Sequence, residues 1–297
     1  MKTLIGKNNF LFLQNDSFRE LEVHNDNLDL VKSDFSNKPE KYFKNYLLIV
    51  FPNKSLVCRN NLPDGYDMKY RPGFEIYKQH LTNNILDLFP HLDADDNYYK
   101  TDTHLNIKGA GIAYKVVVDK INELFNLELR KSEIKIEQKE CVLNDLNLGI
   151  GDLTWEMNLG AQELQNKTDT YYFSNDFSSI YCTYKIESKN IYNLSVLTYD
   201  LENETNDNIG GVVDWYFLSK YILHTVNDEV TNKHKIIIFY DSFLISSLDL
   251  YMKTFNEVYF VKIPMSKYIF SNTNILKLID KINPDYIFEF ITERCLI

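Results

Sequence analysis

Two short stretches hold the residues best suited to chemistry. In Tyr98 to Gly109 (YYKTDTHLNIKG), Asp102 and His104 stand two positions apart. In an extended segment that spacing puts both side chains on one face. A carboxylate beside an imidazole can hold its tautomer and stabilise the imidazolium, as a general base requires. His104 would equally suit a surface or capping role near a helix start, and Asp-x-His alone does not separate the two. The second stretch is Lys235 to Phe243, KIIIFYDSF. A serine just past a buried strand, at the start of a helix, sits at the carboxyl edge of a sheet, where open α/β sheets bind ligands. The helix N-terminus there offers backbone N–H groups to an oxyanion. Asp241 or Ser242 is also a good helix cap, so spacing leaves that alternative open.

Elements able to position these residues are visible in the pattern of apolar runs. Tyr46 to Phe51, Lys235 to Tyr240, Glu257 to Val261 and Asp285 to Phe290 read as strands buried on both faces, as in a parallel sheet covered by helices. Segments of helical period lie among them: Phe74 to Phe89, Gly109 to Phe125, Trp215 to Val226, Leu244 to Thr254 and Thr273 to Ile282. Strands alternating with helices imply a three-layer α/β domain. Thr168 to Tyr199 breaks the alternation with β-rich segments separated by Asn, Asp and Ser, which predicts a small inserted β-rich lobe at about 160–212. One domain over residues 1–297 is the expected organisation.

Composition narrows the function classes. The chain has 297 residues, 42 acidic against 32 basic, and a formal net charge of −10. No Lys/Arg cluster with interleaved aromatics offers a surface to a phosphate backbone, so no nucleic-acid partner is expected. Cys58, Cys141, Cys182 and Cys295 show no metal-ligand spacing and read as reduced, buried thiols. The acidic run His91 to Asn97 fails as an EF-hand, because Tyr98 stands where Gly is needed and His104 where the bidentate Glu belongs. Neither a metal nor a cofactor is expected, and no Walker loop, GxGxxG or HExxH occurs. No run approaches a membrane span, and FLFL at 10–13 is too short for a signal core. The expectation is a soluble, cytoplasmic protein; a chain trimmed of its export signal, and so periplasmic, would read the same.

Several short motifs, in order along the chain, resemble the SGNH-like O-acetyltransferases of the alginate O-acetylation family, the AlgX/AlgJ group. Gly6 with Asn9–Leu13 resembles that family's opening segment. Phe51–Val57, followed by Leu62-Pro63, is similar to its "P-x-K-x-x-V…LP" stretch. Tyr98–Asn106 resembles "Y-x-x-x-D-x-H-W-N", with Leu105 in place of Trp. Gly151-Asp152-Leu153 resembles a short GDL segment. Tyr240–Phe243 resembles the "G-[DT]-S-[FY]" nucleophile motif, with Tyr240 in place of Gly. Pro284-Asp285 through Glu293-Arg294 resembles the closing segment. The motifs run from residue 6 to residue 294, and Asp102 and His104 precede Ser242, as in that family.

The resemblance implies an SGNH-hydrolase-like domain with a central parallel sheet. It implies Ser242 as nucleophile, His104 as general base and Asp102 as its orienting carboxylate. Tyr99, Asn106, Tyr240, Asp241 and Arg294 are expected to contact substrate, with Glu293 paired to Arg294. The implied activity is carbohydrate O-acetyl transfer through an acyl-serine in bacterial surface polysaccharide modification. Its donor would be acetyl-CoA or an acylated carrier, and its acceptor a sugar or polysaccharide. An O-acetylesterase would use the same residues. Transfer of another group in capsule assembly, or an inactive carbohydrate-binding module, are the remaining readings.

Overall fold

The four apolar runs expected as strands form the centre of a seven-stranded sheet. A computed structural model describes residues 2–28, 40–132, 134, 136–141, 152–155, 168–173, 184–185, 193–198, 212–213, 221–262 and 269–296. Its strands are β1 Lys2–Ile5, β2 Leu11–Gln14, β3 Tyr46–Phe51, β4 Ile85–Asp87, β5 Ile136–Cys141, β6 Thr168–Phe173, β7 Tyr184–Lys185, β8 Asn193–Thr198, β9 Val212–Val213, β10 Tyr221–Val226, β11 Lys235–Tyr240, β12 Glu257–Lys262 and β13 Tyr286–Thr292. Its helices are α1 Glu20–Asp26, α2 Glu40–Phe43, α3 Lys54–Val57, α4 Pro72–Leu81, α5 Ile107–Phe125, α6 Asp152–Trp155, α7 Leu248–Thr254 and α8 Thr273–Ile282.

The sheet order is β4-β3-β13-β11-β12-β10-β8. The first five strands are parallel. The last two join antiparallel, so the sheet is mixed rather than wholly parallel. Side chains alternate between faces with period two. On β3, Leu47, Ile49 and Phe51 join the cluster that packs under α5 and α7. Tyr46, Leu48 and Val50 point the other way, into a cluster with α4 and α8. Burial on both faces is why these strands read as unbroken apolar runs.

Helix α8 spans the segment expected from sequence. Asn272 caps its start by accepting from Asn274 N and Ile275 N, and Asn283 ends it in the left-handed region at φ 49°. Two expected helices differ. The stripe from Phe74 to Phe89 breaks at Thr82, φ 53°, and Ile85–Asp87 pairs with Leu48–Val50 as β4. Tyr221–Val226, expected as the end of a helix, is instead β10, paired on both sides. A short apolar run satisfies either period, and these available sheet edges decide it.

The segment expected as an inserted lobe is not wholly separate. Its residues 193–198 form β8, the edge strand beside β10. Of its other described residues, β6 pairs antiparallel with β5, which lies before the region, and β7 pairs antiparallel with β9. Its remaining residues lie outside those described. Cys58 and Cys295 are buried free thiols, as expected. Among the described residues, no helix is long and apolar enough to cross a membrane.

One buried acid gives the fold a measurable pH dependence. Glu289 on β13 is 2% exposed and accepts a hydrogen bond from Tyr46 Oη at 2.5 Å. Burial pushes its pKa up to about 8, while the Tyr46 bond works in the opposite direction. Between the ordinary carboxyl value and about 8, the folded chain holds a proton the unfolded chain has released. Stability must therefore fall as pH rises through that window and level off above it. Glu289→Gln should remove this fall. Urea unfolding at pH 5 and pH 9 should show wild type losing on the order of 4 kcal/mol more than the variant. Parallel losses in both would contradict the assignment.

Candidate active site

The carboxyl ends of β3, β11 and β13 and the loop before α5 deliver Asn53–Ser55, Asp241–Ser242, Thr292–Arg294 and Asp102–His104 to one edge of the sheet. Beyond β11 the chain turns at Asp241 into a tight helical turn, Ser242–Ser247. Asp241 is the cap. Its Oδ1 accepts from Phe243 N at 2.9 Å, and its Oδ2 from Thr292 N at 2.6 Å and Thr292 Oγ1 at 2.5 Å. These bonds lock the turn to the end of β13 and fix where Ser242 stands. Ser242 itself is 8% exposed.

The Asp102–His104 loop is held from several sides. Tyr98 and Leu105 form an antiparallel bridge, and Tyr98 Oη donates to Pro52 O at 2.5 Å. Asn106 caps α5 by accepting from Gly109 N at 3.0 Å. A side chain at Gly109 would meet Asn97 O at 2.4 Å, so this close approach requires glycine. Within the loop, Asp102 Oδ1 accepts from His104 N at 2.8 Å and faces His104 Nδ1 at 2.6 Å. A carboxylate at Nδ1 fixes the proton there and leaves Nε2 as the basic nitrogen. Nε2 is buried and has no hydrogen-bond partner among the described residues.

Electrostatics agree with this geometry. Burial opposes the Asp102 carboxylate, but the His104 charge and the hydrogen bonds outweigh it and hold its pKa below the usual range. Burial also opposes the His104 imidazolium. There the Asp102 carboxylate and its hydrogen bond win, and Asp152 adds to them, so the imidazole pKa is raised. The His104 ring lies 4.8 Å from the Phe243 ring, one residue beyond Ser242. No hydrogen bond joins Ser242 Oγ to His104 Nε2.

A small cleft adjoins this corner, with Phe12, Lys54, Ser55, Thr103, Phe243 and Arg294 among its walls. Its polar walls are mostly engaged already. Lys54 Nζ donates to the carbonyls of Leu11, Lys100 and Asp102 at 2.7, 2.8 and 3.0 Å. Burial pulls its pKa down to about 8, against the attraction of nearby acids. Asn53 bonds His24 and Arg294 N, Thr103 Oγ1 donates to Asp152, and Ser55 Oγ donates to Glu20. Arg294 is 6% exposed and faces Glu20 at 3.7 Å, and its Nε has no partner among the described residues.

Of the residues expected to contact substrate, Tyr240 is wholly buried in the α5/α7 side of the core. Asp241 and Asn106 are buried caps engaged with backbone. Tyr99 is half-buried, and its N–H donates to His104 O at 3.4 Å. Arg294 alone among the five borders the cleft. The expected Glu293–Arg294 pair does not form. Glu293 instead takes Arg71, bonded through Nε and Nη2, while the same guanidinium grips Asp87 at 2.7 and 2.9 Å. Both residues lie in the 3-10 turn Glu293–Leu296 that follows β13, where successive side chains are rotated by about a third of a turn, which sends these two charges to different partners.

Asp152 was given no role by the sequence beyond its place in a GDL segment, yet it abuts the imidazole. Its Oδ2 lies 3.7 Å from His104 Nδ1. Asp102, His104 and Asp152 each offer a potential metal-ligand atom, all within 4.8 Å of one another. His104 Nδ1 is already hydrogen-bonded to Asp102 and the Asp152 carboxylate already accepts from Thr103 Oγ1, an arrangement suited to a proton rather than a cation.

No protein-family model and no curated protein matches the sequence. Solved structures do. A DHHW family protein from Eubacterium siraeum superposes with a TM-score of 0.56 at 16% identity, covering 100% of this chain and 95% of that one. Bacillus cereus PatB1 gives 0.58 at 14% identity, with 98% and 95% covered. The O-acetyltransferase domain of Pseudomonas putida AlgJ gives 0.52 at 12% identity, with 99% and 92% covered. The chain therefore has the SGNH-like α/β fold that these three structures share.

Proposed function

We propose that the chain is a carbohydrate O-acetyltransferase that works through an acyl-enzyme on Ser242. The observation that carries this reading is His104, held at Nδ1 by a buried carboxylate while its basic Nε2 has no partner among the described residues, beside the turn that bears Ser242. A buried unpartnered polar atom calls for an explanation, and a proton acceptor awaiting its donor supplies one. Hydrogen bonds between nucleophile and base are often long until substrate binds.

In the first half-reaction His104 Nε2 takes the Ser242 hydroxyl proton as Oγ attacks the acyl carbonyl. The Ser242 backbone N–H, at the start of a helical turn, stabilises the oxyanion; the neighbouring Phe243 N–H is already held by Asp241. Collapse breaks the bond to the donor's leaving group, which departs with the proton from His104. In the second half-reaction an acceptor hydroxyl loses its proton to His104 and attacks the acyl-serine, and Ser242 leaves with that proton. Asp102 stays ionised throughout and stabilises the imidazolium.

The likeness in fold to an O-acetyltransferase domain supports acetyl as the group moved. A PatB1 structure carries a sulfonyl adduct, the product expected when an activated nucleophile meets a sulfonyl reagent. The donor is acetyl-CoA or an acylated carrier, and the acceptor a sugar or polysaccharide. An esterase would run the same first half-reaction and let water discharge the serine. The partition tests this directly: with p-nitrophenyl acetate as donor, sugars screened as acceptors should speed nitrophenol release and appear acetylated. Release of acetate alone, unaffected by any sugar, would favour the esterase.

A further inference from the structure

We infer that Asp152 is a positioning residue for the His104 base, a second carboxylate that clamps the Asp102–His104 loop and holds the imidazole. This rests on the acyl-transfer reading for its kinetic consequence but on geometry for its placement. The clamp has three contacts on two residues. Asp152 N donates to Asp102 Oδ2 at 2.9 Å, so the start of α6 grips the carboxylate oxygen that faces away from His104. The Asp152 side chain then closes on the intervening residue: its Oδ1 accepts from Thr103 N at 2.9 Å and its Oδ2 from Thr103 Oγ1 at 2.6 Å. Thr103 Oγ1 in turn lies 3.3 Å from His104 Nδ1, where its free lone pairs face the ring N–H.

The loop thus has an anchor on each side. Lys54, at the start of α3, fixes the Asp102 carbonyl, and Asp152, at the start of α6, fixes the Asp102 carboxylate and Thr103. The His104 ring faces Asp102 in its own loop, Asp152 on α6, Arg294 after β13 and the apolar ring of Phe243. The two carboxylates favour the imidazolium and Arg294 opposes it. Asp152 therefore has two separable effects. Its hydrogen bonds keep the loop in shape, and its charge strengthens the base.

Asp152→Asn separates them, because its amide oxygen can still accept from Thr103 N and its NH₂ can donate to Thr103 Oγ1, whose hydroxyl also accepts, while the charge is gone. Thr103→Val removes the hydroxyl bridge and keeps the charge. The imidazole of His104 is titrated by NMR in the full-length protein, without substrate, and kcat and KM are measured with p-nitrophenyl acetate. In Asp152→Asn the His104 pKa should fall and kcat should drop about 10- to 100-fold with KM unchanged. Thr103→Val should lower kcat with a smaller change in the imidazole titration. An unchanged titration curve and unchanged kcat in Asp152→Asn would overturn the inference, as would a rise in KM alone. The titration needs no acyl donor, so it reads the clamp even if acyl transfer itself fails.

Discussion

Exchange of Asp102 for Asn should lower acyl transfer by about ten-thousand-fold while leaving the chain folded. The size of the loss follows from which atoms conflict. Asp102 Oδ1 accepts from both His104 N and His104 Nδ1, and Oδ2 accepts from Asp152 N. An asparagine amide must turn its NH₂ toward one of these sites. Turned to His104, it meets the backbone N–H and favours the tautomer with the proton on Nε2, which can no longer receive one. Turned to Asp152 N, it sets donor against donor and loosens the loop. Both arrangements also remove the charge that stabilises the imidazolium. Because the folded-state pKa of His104 is raised, wild-type turnover should climb with pH through a midpoint above the ordinary histidine value as the base loses its proton. A fall of less than tenfold, with the wild-type pH profile retained, would remove His104 from the role of base.

Ser242→Ala should be more damaging still, with turnover lost by about a millionfold or down to background. It should also be structurally quiet. The turn is held by Asp241, whose three hydrogen bonds reach Phe243 and Thr292, and not by the serine. Unfolding free energy should change by no more than about 1 kcal/mol, the typical size of a single substitution that removes no such anchor. Asp241→Ala makes the contrast: it releases Phe243 N, Thr292 N and Thr292 Oγ1 together, and should cost stability as well as activity. If Ser242→Ala retained turnover, another nucleophile would be required. The two described thiols are poor candidates, because burial pushes the Cys58 pKa up to about 12 and raises that of Cys295 as well.

The layers of the fold were legible in the sequence because burial on both faces leaves continuous apolar runs, and Lys235–Tyr240 and Tyr46–Phe51 are such runs. Helix α8 was legible from the helical period of Thr273–Ile282, and in the structure Asn272 and Asn283 bound it. Strands β4 and β10 were not. Residues 221–226 are short and apolar at both periods, and only the neighbours β12 and β8 select the extended form. At the site, the Asp102–His104 contact was visible because two residues suffice to make it. Arg71 was invisible because it reaches Glu293 across 222 positions, and nothing local marks the pair. Asp152 was hidden for the same reason: it meets Asp102 50 positions away. Lys54 was visible as a motif letter but not as a three-carbonyl anchor, since carbonyls leave no mark in a sequence.

The central claim is that Ser242 carries the acyl group, and the most direct measurement is intact mass with peptide mapping after reaction. Wild type and Ser242→Ala are incubated in parallel with an activated acetyl ester and with a sulfonyl fluoride. One acetyl or sulfonyl adduct on wild type, mapped to the peptide containing Ser242 and missing from the variant, is the predicted result. An adduct of equal yield on both proteins, or one mapped to another residue, would contradict it.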